Sequence, residues 1–208
     1  MANLINIVGI GPGTKEYLTP VALKAINNAD ILVGGQRNLD IFTELNKEKF
    51  VLGNNLIDMV EFIKAKRGLQ KIAVLASGDP GLFGIISFIT KNFDPDEINV
   101  IPGISSVQLA FARLRLPWQD AVILSTHGRE MDKVIELIAN LPKVAVLTDA
   151  QGSPSAIARR LTERGITNKK VWVCSNLAYP DEQIIEIALP ELAKDVEFSN
   201  CLMILMEE

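Results

Sequence analysis

Lys71-Ile72-Ala73-Val74-Leu75-Ala76-Ser77-Gly78-Asp79-Pro80-Gly81 carries the reading of the fold. An unbroken apolar run from Ile72 to Ala76 stops at a turn rich in glycine and proline, the pattern of a strand buried on both faces. Strands of that kind belong to parallel sheets covered by helices. The same pattern recurs on either side. Leu4 to Ile10 precedes Gly11-Pro12-Gly13, Asp30 to Val33 precedes Gly34-Gly35, and Ile98 to Ile101 precedes Pro102-Gly103-Ile104-Ser105-Ser106, with a brief strand at Phe50 to Leu52. Helical patterns fill the gaps. Thr19 as N-cap and Pro20 at the first turn open a helix to about Asn28. Others are predicted near Arg37 to Leu45, from Asn55 to Gly68 with Leu56, Met59, Val60 and Ile63 on one face, and over Leu82 to Ile89. Ser105 with Gln108 fits a capping box for a helix to about Arg113.

Beyond Leu116-Pro117-Trp118, which reads as a linker, the texture changes. Helices are expected at Met131 to Ala139 and Pro154 to Glu163, and strands at Ala121 to Leu124, Val144 to Leu147 and Val171 to Ser175. Glu182 to Ala188 and Cys201 to Met206 are consecutive strand signals with little helix between them, so an antiparallel hairpin and a mixed sheet are predicted. The expected fold class is therefore two α/β domains, residues 1–114 with a mainly parallel sheet and residues 115–208 with a mixed one.

The chain has 208 residues, 48% of them hydrophobic, with 14 glycines and 10 prolines. That content excludes disorder and low-complexity classes and is enough for a real core. No apolar run approaches the roughly 18–20 residues of a membrane helix. The start lacks the basic segment and long apolar stretch of a signal peptide, so a cytoplasmic protein is expected. A net charge of −4 argues against nucleic acid as partner, since phosphate neutralisation dominates such affinity. Cys174 and Cys201 read as buried, reduced thiols, and one histidine without clustered cysteines gives no metal site.

Three segments follow strands where open parallel sheets bind ligands: Gly9 to Gly13, Ser77 to Gly81 and Pro102 to Ser106. The first is not a dinucleotide fingerprint, because Thr14 stands where the third glycine belongs. It reads either as a tight turn or as a ligand loop. Asp79 reads either as an N-cap or as a carboxylate facing a hydroxyl or a cation. Ser105 and Ser106 read as caps or as hydroxyls offered to a ligand. His127, in Ser125-Thr126-His127-Gly128-Arg129, follows a strand beside a glycine and an arginine, so structural and catalytic roles both stand.

Taken in order, Val8-Gly9-Ile10-Gly11-Pro12-Gly13, Leu18-Thr19-Pro20, Ala29 to Gly35, Ser77-Gly78-Asp79-Pro80 and Ile101 to Ser106 resemble the tetrapyrrole (corrin/porphyrin) methylases. The resemblance spans nearly the whole chain. Gly34-Gly35-Gln36-Arg37-Asn38-Leu39 and Ser125 to Arg129 resemble the branch that methylates carbon 5 of a corrin precursor. The end at Glu208 leaves no room for the decarboxylating domain of fused members, so the stand-alone form is expected.

The resemblance implies S-adenosylmethionine as cofactor, held in a cleft between two domains. Its contacts would be Pro12, Gly78, Asp79, Leu82, Ser105 and Ser106, and Leu147, Thr148, Asn176 and Leu177 from the second domain. It also implies a polycarboxylate corrin precursor as substrate, a homodimer, and no nucleic-acid or membrane partner. Arg37, Arg113 and Arg129 are the candidates for substrate carboxylates, which arginine binds bidentately; solvated surface positions are the alternative. His127 is the candidate base, because histidine titrates near neutral pH. Cobalt, where present, arrives inside the substrate. The rival functions are a sibling methylase acting on rRNA 2′-hydroxyls or in diphthamide synthesis, and an NAD-dependent oxidoreductase.

Overall fold

A computed structural model describes residues 3–53, 55–194 and 196–207. The chain divides into two compact units, residues 1–105 and 106–208. The sequence reading puts the joint at residue 115, after the helix that follows Ser105 rather than before it.

The first unit is a sheet of β1 (Ile5–Gly9), β2 (Ile31–Gly34), β3 (Glu48–Val51), β4 (Ile72–Ala76) and β5 (Ile98–Ile101), with α1 (Pro20–Asn28), α2 (Gln36–Asp40), α3 (Leu56–Lys66) and α4 (Ile86–Ile89). The strand order is β3-β2-β4-β1-β5 and every pairing is parallel. Alternation along the strands feeds two apolar layers. Ile5, Ile7, Ile31, Val33, Ile72 and Val74 meet Met59, Val60 and Ile63 of α3 and Ile89 of α4. Val8, Leu32, Ala73 and Leu75 meet Ala22 and Ile26 of α1 and Leu39 of α2. Each large side chain so buried contributes about 1.5–3 kcal/mol. This is why the central strands β1, β2 and β4 read as near-continuous apolar runs.

Two helices are shorter than predicted. After Asp40 the hydrogen bonds tighten to three-residue turns, Phe42 to Leu39 and Leu45 to Phe42, so α2 ends there. Over Leu82 to Ile89 only residues 86–89 are helical. Asp79 turns the chain by accepting the Gly81 amide at 2.8 Å, and Phe83 adopts a left-handed φ of 50° that no α-helix contains.

The second unit holds α5 (Ser106–Leu114), β6 (Val122–Ser125), α6 (Met131–Asn140), β7 (Lys143–Leu147), α7 (Pro154–Glu163), β8 (Lys169–Ser175), β9 (Gln183–Glu186), α8 (Leu189–Leu192) and β10 (Cys201–Glu207). Its strand order is β6-β7-β10-β8-β9, with β6 parallel to β7 and β10 antiparallel to both β7 and β8. The mixed sheet is as expected, but the predicted hairpin is not: β9 pairs with β8, and β10 inserts between β7 and β8. The reason is burial. Leu202 to Leu205 are apolar on both faces and fully enclosed, which requires a central strand, whereas β9 is mostly exposed and takes the edge.

Two lysines are buried at strand starts. Lys143 Nζ binds both carboxylate oxygens of Asp120 (2.7 and 2.9 Å) and the Pro117 carbonyl, and Lys169 Nζ donates to the Leu141 carbonyl at 2.9 Å. Both snorkel to polar partners, as buried ammonium groups must.

Candidate functional site

Because β4, β1 and β5 are neighbours, the loops leaving their carboxyl ends lie side by side. Backbone contact joins them. Ile10 N–H donates to the Ala76 carbonyl at 3.0 Å, and Gly11 and Gly78 exchange hydrogen bonds of 2.8 and 3.3 Å. Glycine is needed because the chains touch without room for a side chain. A Cβ on Gly9 would stand 2.5 Å from Gly103 N and 2.8 Å from Gly78 O, and one on Gly103 would stand 2.2 Å from Gly78 O. Asp79 locks the arrangement. Its Oδ1 accepts the Gly81 amide and its Oδ2 accepts the Gly103 amide at 3.1 Å, so one carboxylate ties the second loop to the third. The N-cap reading of Asp79 fails, because no helix starts at Pro80, and each carboxylate oxygen accepts one backbone amide.

Pro12 is buried in the first loop, Leu82 is half-buried beyond Asp79, and Ser105 is buried where the first unit ends. Ser106 opens α5. Beside Pro12, Thr14 Oγ1 is the one buried side-chain polar atom among the described residues that lacks a hydrogen-bond partner. An orphan of this kind, next to loops stripped of side chains, is what a polar ligand completes. The donor set therefore fits a ligand held by backbone and hydroxyl groups.

In the second unit the loops leaving β6, β7 and β8 are held by backbone and side-chain hydrogen bonds together. Thr126 N–H donates to the Leu147 carbonyl at 3.0 Å, and Gly152 lies so close to Thr126 that a Cβ would fall 2.4 Å from its side chain. Thr148 Oγ1 donates to the Cys201 carbonyl at 2.6 Å. Asn176 N–H donates to the Asn200 carbonyl at 3.1 Å, and Asn200 Nδ2 to Asn176 Oδ1 at 3.3 Å. Leu147-Thr148 and Asn176-Leu177 are thus brought together through Asn200 and Cys201, which the sequence reading did not single out. A cavity of about 820 Å³ opens beside them, lined by Thr148, Asp149, Ser153, Glu197, Phe198 and Asn200 among others.

His127 is exposed on the turn after β6, followed by Gly128 at φ 62°. Its amide donates to the buried Ser125 Oγ at 3.3 Å, and its Nδ1 lies 3.5 Å from the same oxygen. That anchors the backbone and leaves the ring at the surface. Arg37 is exposed on α2 and Arg129 is exposed beside His127. Arg113 is engaged: its Nε donates to Glu182 Oε1 at 2.6 Å and its Nη2 to Oε2 at 3.3 Å. The Arg113 fork, followed by the Ala178 amide, holds the Glu182 carboxyl below the usual carboxylate range against the opposing effect of burial. Burial pushes the Cys174 thiol up to about 12 and raises that of Cys201, where the Thr148 contact opposes it. Among the described residues no group of three or more His, Cys, Asp or Glu is placed to hold a metal. No helix is long and apolar enough to cross a membrane among those residues.

The sequence profile described as Tetrapyrrole (Corrin/Porphyrin) Methylases matches residues 4–193. The cobalt-precorrin-7 C(5)-methyltransferase of Salmonella typhimurium is 37% identical over 204 residues, covering 98% of this chain and 100% of that one. In fold, a cobalt precorrin-4 methyltransferase superposes with a TM-score of 0.81 at 20% identity, over 97% of this chain and 94% of its own. A uroporphyrin-III C-methyl transferase from Thermus thermophilus, solved with S-adenosyl homocysteine, superposes with a TM-score of 0.77 at 20% identity, over 98% and 92%.

Proposed function

This chain belongs to the tetrapyrrole methylases, and from that premise we propose that it transfers a methyl group from S-adenosylmethionine to carbon 5 of a cobalt-precorrin in cobalamin synthesis. The end-to-end correspondence with the Salmonella enzyme carries the choice of substrate. The glycine-packed loops and the Thr14 orphan support the choice of cofactor.

Bound S-adenosylmethionine supplies an electrophilic methyl on a sulfonium, so the protein needs no strong nucleophile of its own. What these residues contribute is alignment, which is worth up to about 7–11 kcal/mol of barrier when both reactants are pre-organised. Pro12, Gly78, Asp79, Leu82 and Ser105 of the first unit, with Ser106 and with Leu147, Thr148, Asn176 and Leu177 of the second, are assigned to the cofactor. Gly78 offers backbone only, and Asp79 acts by fixing the loops. Arg37 and Arg129 are assigned to substrate carboxylates.

His127 is assigned the proton that leaves the methylated carbon, with its exposed Nε2 as acceptor. The ring's surface position makes this testable without loss of the fold. His127→Ala is expected to cut turnover at least tenfold, the lower end of general-base catalysis being about 100-fold, while melting stays unchanged. Normal turnover with intact melting would remove the assignment.

A cytoplasmic homodimer accompanies the proposal, and light scattering at working concentration tests the dimer. The reaction itself is tested by mass spectrometry of a cobalt-precorrin incubated with the protein and cofactor. Gain of one methyl, dependent on both, is expected; no gain would overturn the reading.

A further inference from the structure

The loop that leaves β8 is held in a shape its own residues do not favour. Two successive turns close through Tyr179 N–H to the Asn176 carbonyl (2.9 Å) and Glu182 N–H to the Tyr179 carbonyl (3.0 Å). Within them Asn176 has φ 49° and Ala178 has φ 71°. Asparagine tolerates the left-handed region; alanine has no side-chain hydrogen bond to offset its cost. Such a residue persists only where its surroundings over-determine it.

The restraint is Glu182. Its Oε2 accepts the Ala178 amide at 2.7 Å, directly at the strained residue. The same carboxylate is gripped by the Arg113 fork through both oxygens, across 69 residues of sequence. The Glu182 side chain keeps only 21% of its exposure, so the pair is shielded enough to hold a fixed geometry. The chain of contacts runs onward from the loop. Leu177, between the two left-handed residues, is buried, and Asn176 is bonded to Asn200, whose neighbour Cys201 holds Thr148.

We infer that Arg113 is a positioning residue: through Glu182 it clamps the 176–182 loop in its left-handed form and so sets cofactor affinity, rather than reading a substrate carboxylate. The inference rests on the cofactor role proposed above for Asn176 and Leu177. It also reassigns Arg113, whose fork already faces Glu182.

The test uses the full chain, with hydrogen exchange of the 176–182 amides and calorimetry of S-adenosylhomocysteine binding. The wild type is titrated first; no binding there would overturn the cofactor reading itself, and the inference with it, before any variant is made. In Arg113→Ala the loop amides should exchange at least tenfold faster and the Kd for S-adenosylhomocysteine should rise about tenfold, as small misplacements of positioning groups do. The KM for S-adenosylmethionine should rise with it, and the KM for the corrin should not. Arg113→Lys, which keeps the charge and loses the fork, should fall between. The double variant Arg113→Ala/Glu182→Ala should be no worse than Glu182→Ala alone, because the two act in series. Unchanged loop exchange in Arg113→Ala would overturn the clamp. Unchanged cofactor affinity with a raised corrin KM would overturn the role and return Arg113 to the substrate.

Discussion

In the first unit, three loops meet where an added Cβ on Gly103 would stand 2.2 Å from a backbone oxygen; in the second, a loop is held by a carboxylate with a guanidinium 2.6 Å away. Both devices fix loops at the carboxyl ends of strands, parallel ones in the first unit and the antiparallel β8 in the second. They differ in how they fail. Backbone packed on backbone has no torsion to turn, so any side chain forces the loops apart. A side-chain brace can be weakened by one hydrogen bond or one charge at a time. The glycine-packed contact is therefore the harder of the two to relax, and the Arg113–Glu182 brace the easier to weaken.

The largest expected effect breaks the comparison if it is absent. Gly103→Ala should destabilise the protein by about 3 kcal/mol, at the upper end for overpacked sites, and abolish S-adenosylhomocysteine binding in calorimetry. A normal melting temperature with normal binding would show that the first unit yields as readily as the second. Next comes Asp79→Asn, which keeps one acceptor and loses the other along with the charge. A loss of about 1.5–3 kcal/mol, typical of a hydrogen bond to a charged group, should appear in denaturant unfolding, with weaker cofactor binding.

The second unit should instead respond to pH by degrees. Glu182 titrates lower in the folded chain than its ordinary 4.5, so its contribution is present above that value and fades as pH falls through the folded one. Unfolding midpoints compared between wild type and Glu182→Gln should converge as the pH drops; parallel curves would mean the brace carries no stability. Smallest is an alkaline effect. Cys174 is raised from 9.0 to about 12, so the folded state holds a proton that the unfolded state releases, and stability should fall as pH rises above 9.0. One such proton gives a slope of about 1.4 kcal/mol per pH unit. Cys174→Ala should flatten that slope, and an unchanged slope would place the proton elsewhere.

How much of this was legible in the sequence follows the range of each interaction. The central strands β1, β2 and β4 of the first sheet announce themselves because burial on both faces is written into consecutive residues such as Ile72 to Ala76. The place of β10 is not, since insertion between β7 and β8 is decided by pairing with residues far away in the chain. Asp79-Pro80 shows the limit within a single motif. Its local signal is that of a helix start, but Asp79 Oδ2 is taken by Gly103, 24 residues on. Arg113 reads as a surface arginine or a substrate contact until Glu182 is placed against it. The burial of Lys143 and Lys169 is likewise set by the fold and not by their neighbours in sequence. The three glycine-bearing segments at the strand ends were legible as turns that leave little room for side chains, whereas the braces in the second unit were not.

The most direct trial supplies S-adenosylmethionine bearing an isotopically labelled methyl and a cobalt-precorrin lacking the carbon-5 methyl, then locates the label by NMR. A single labelled methyl at carbon 5 is the predicted result. Label at any other carbon, or none transferred while the cofactor demonstrably binds, would contradict it.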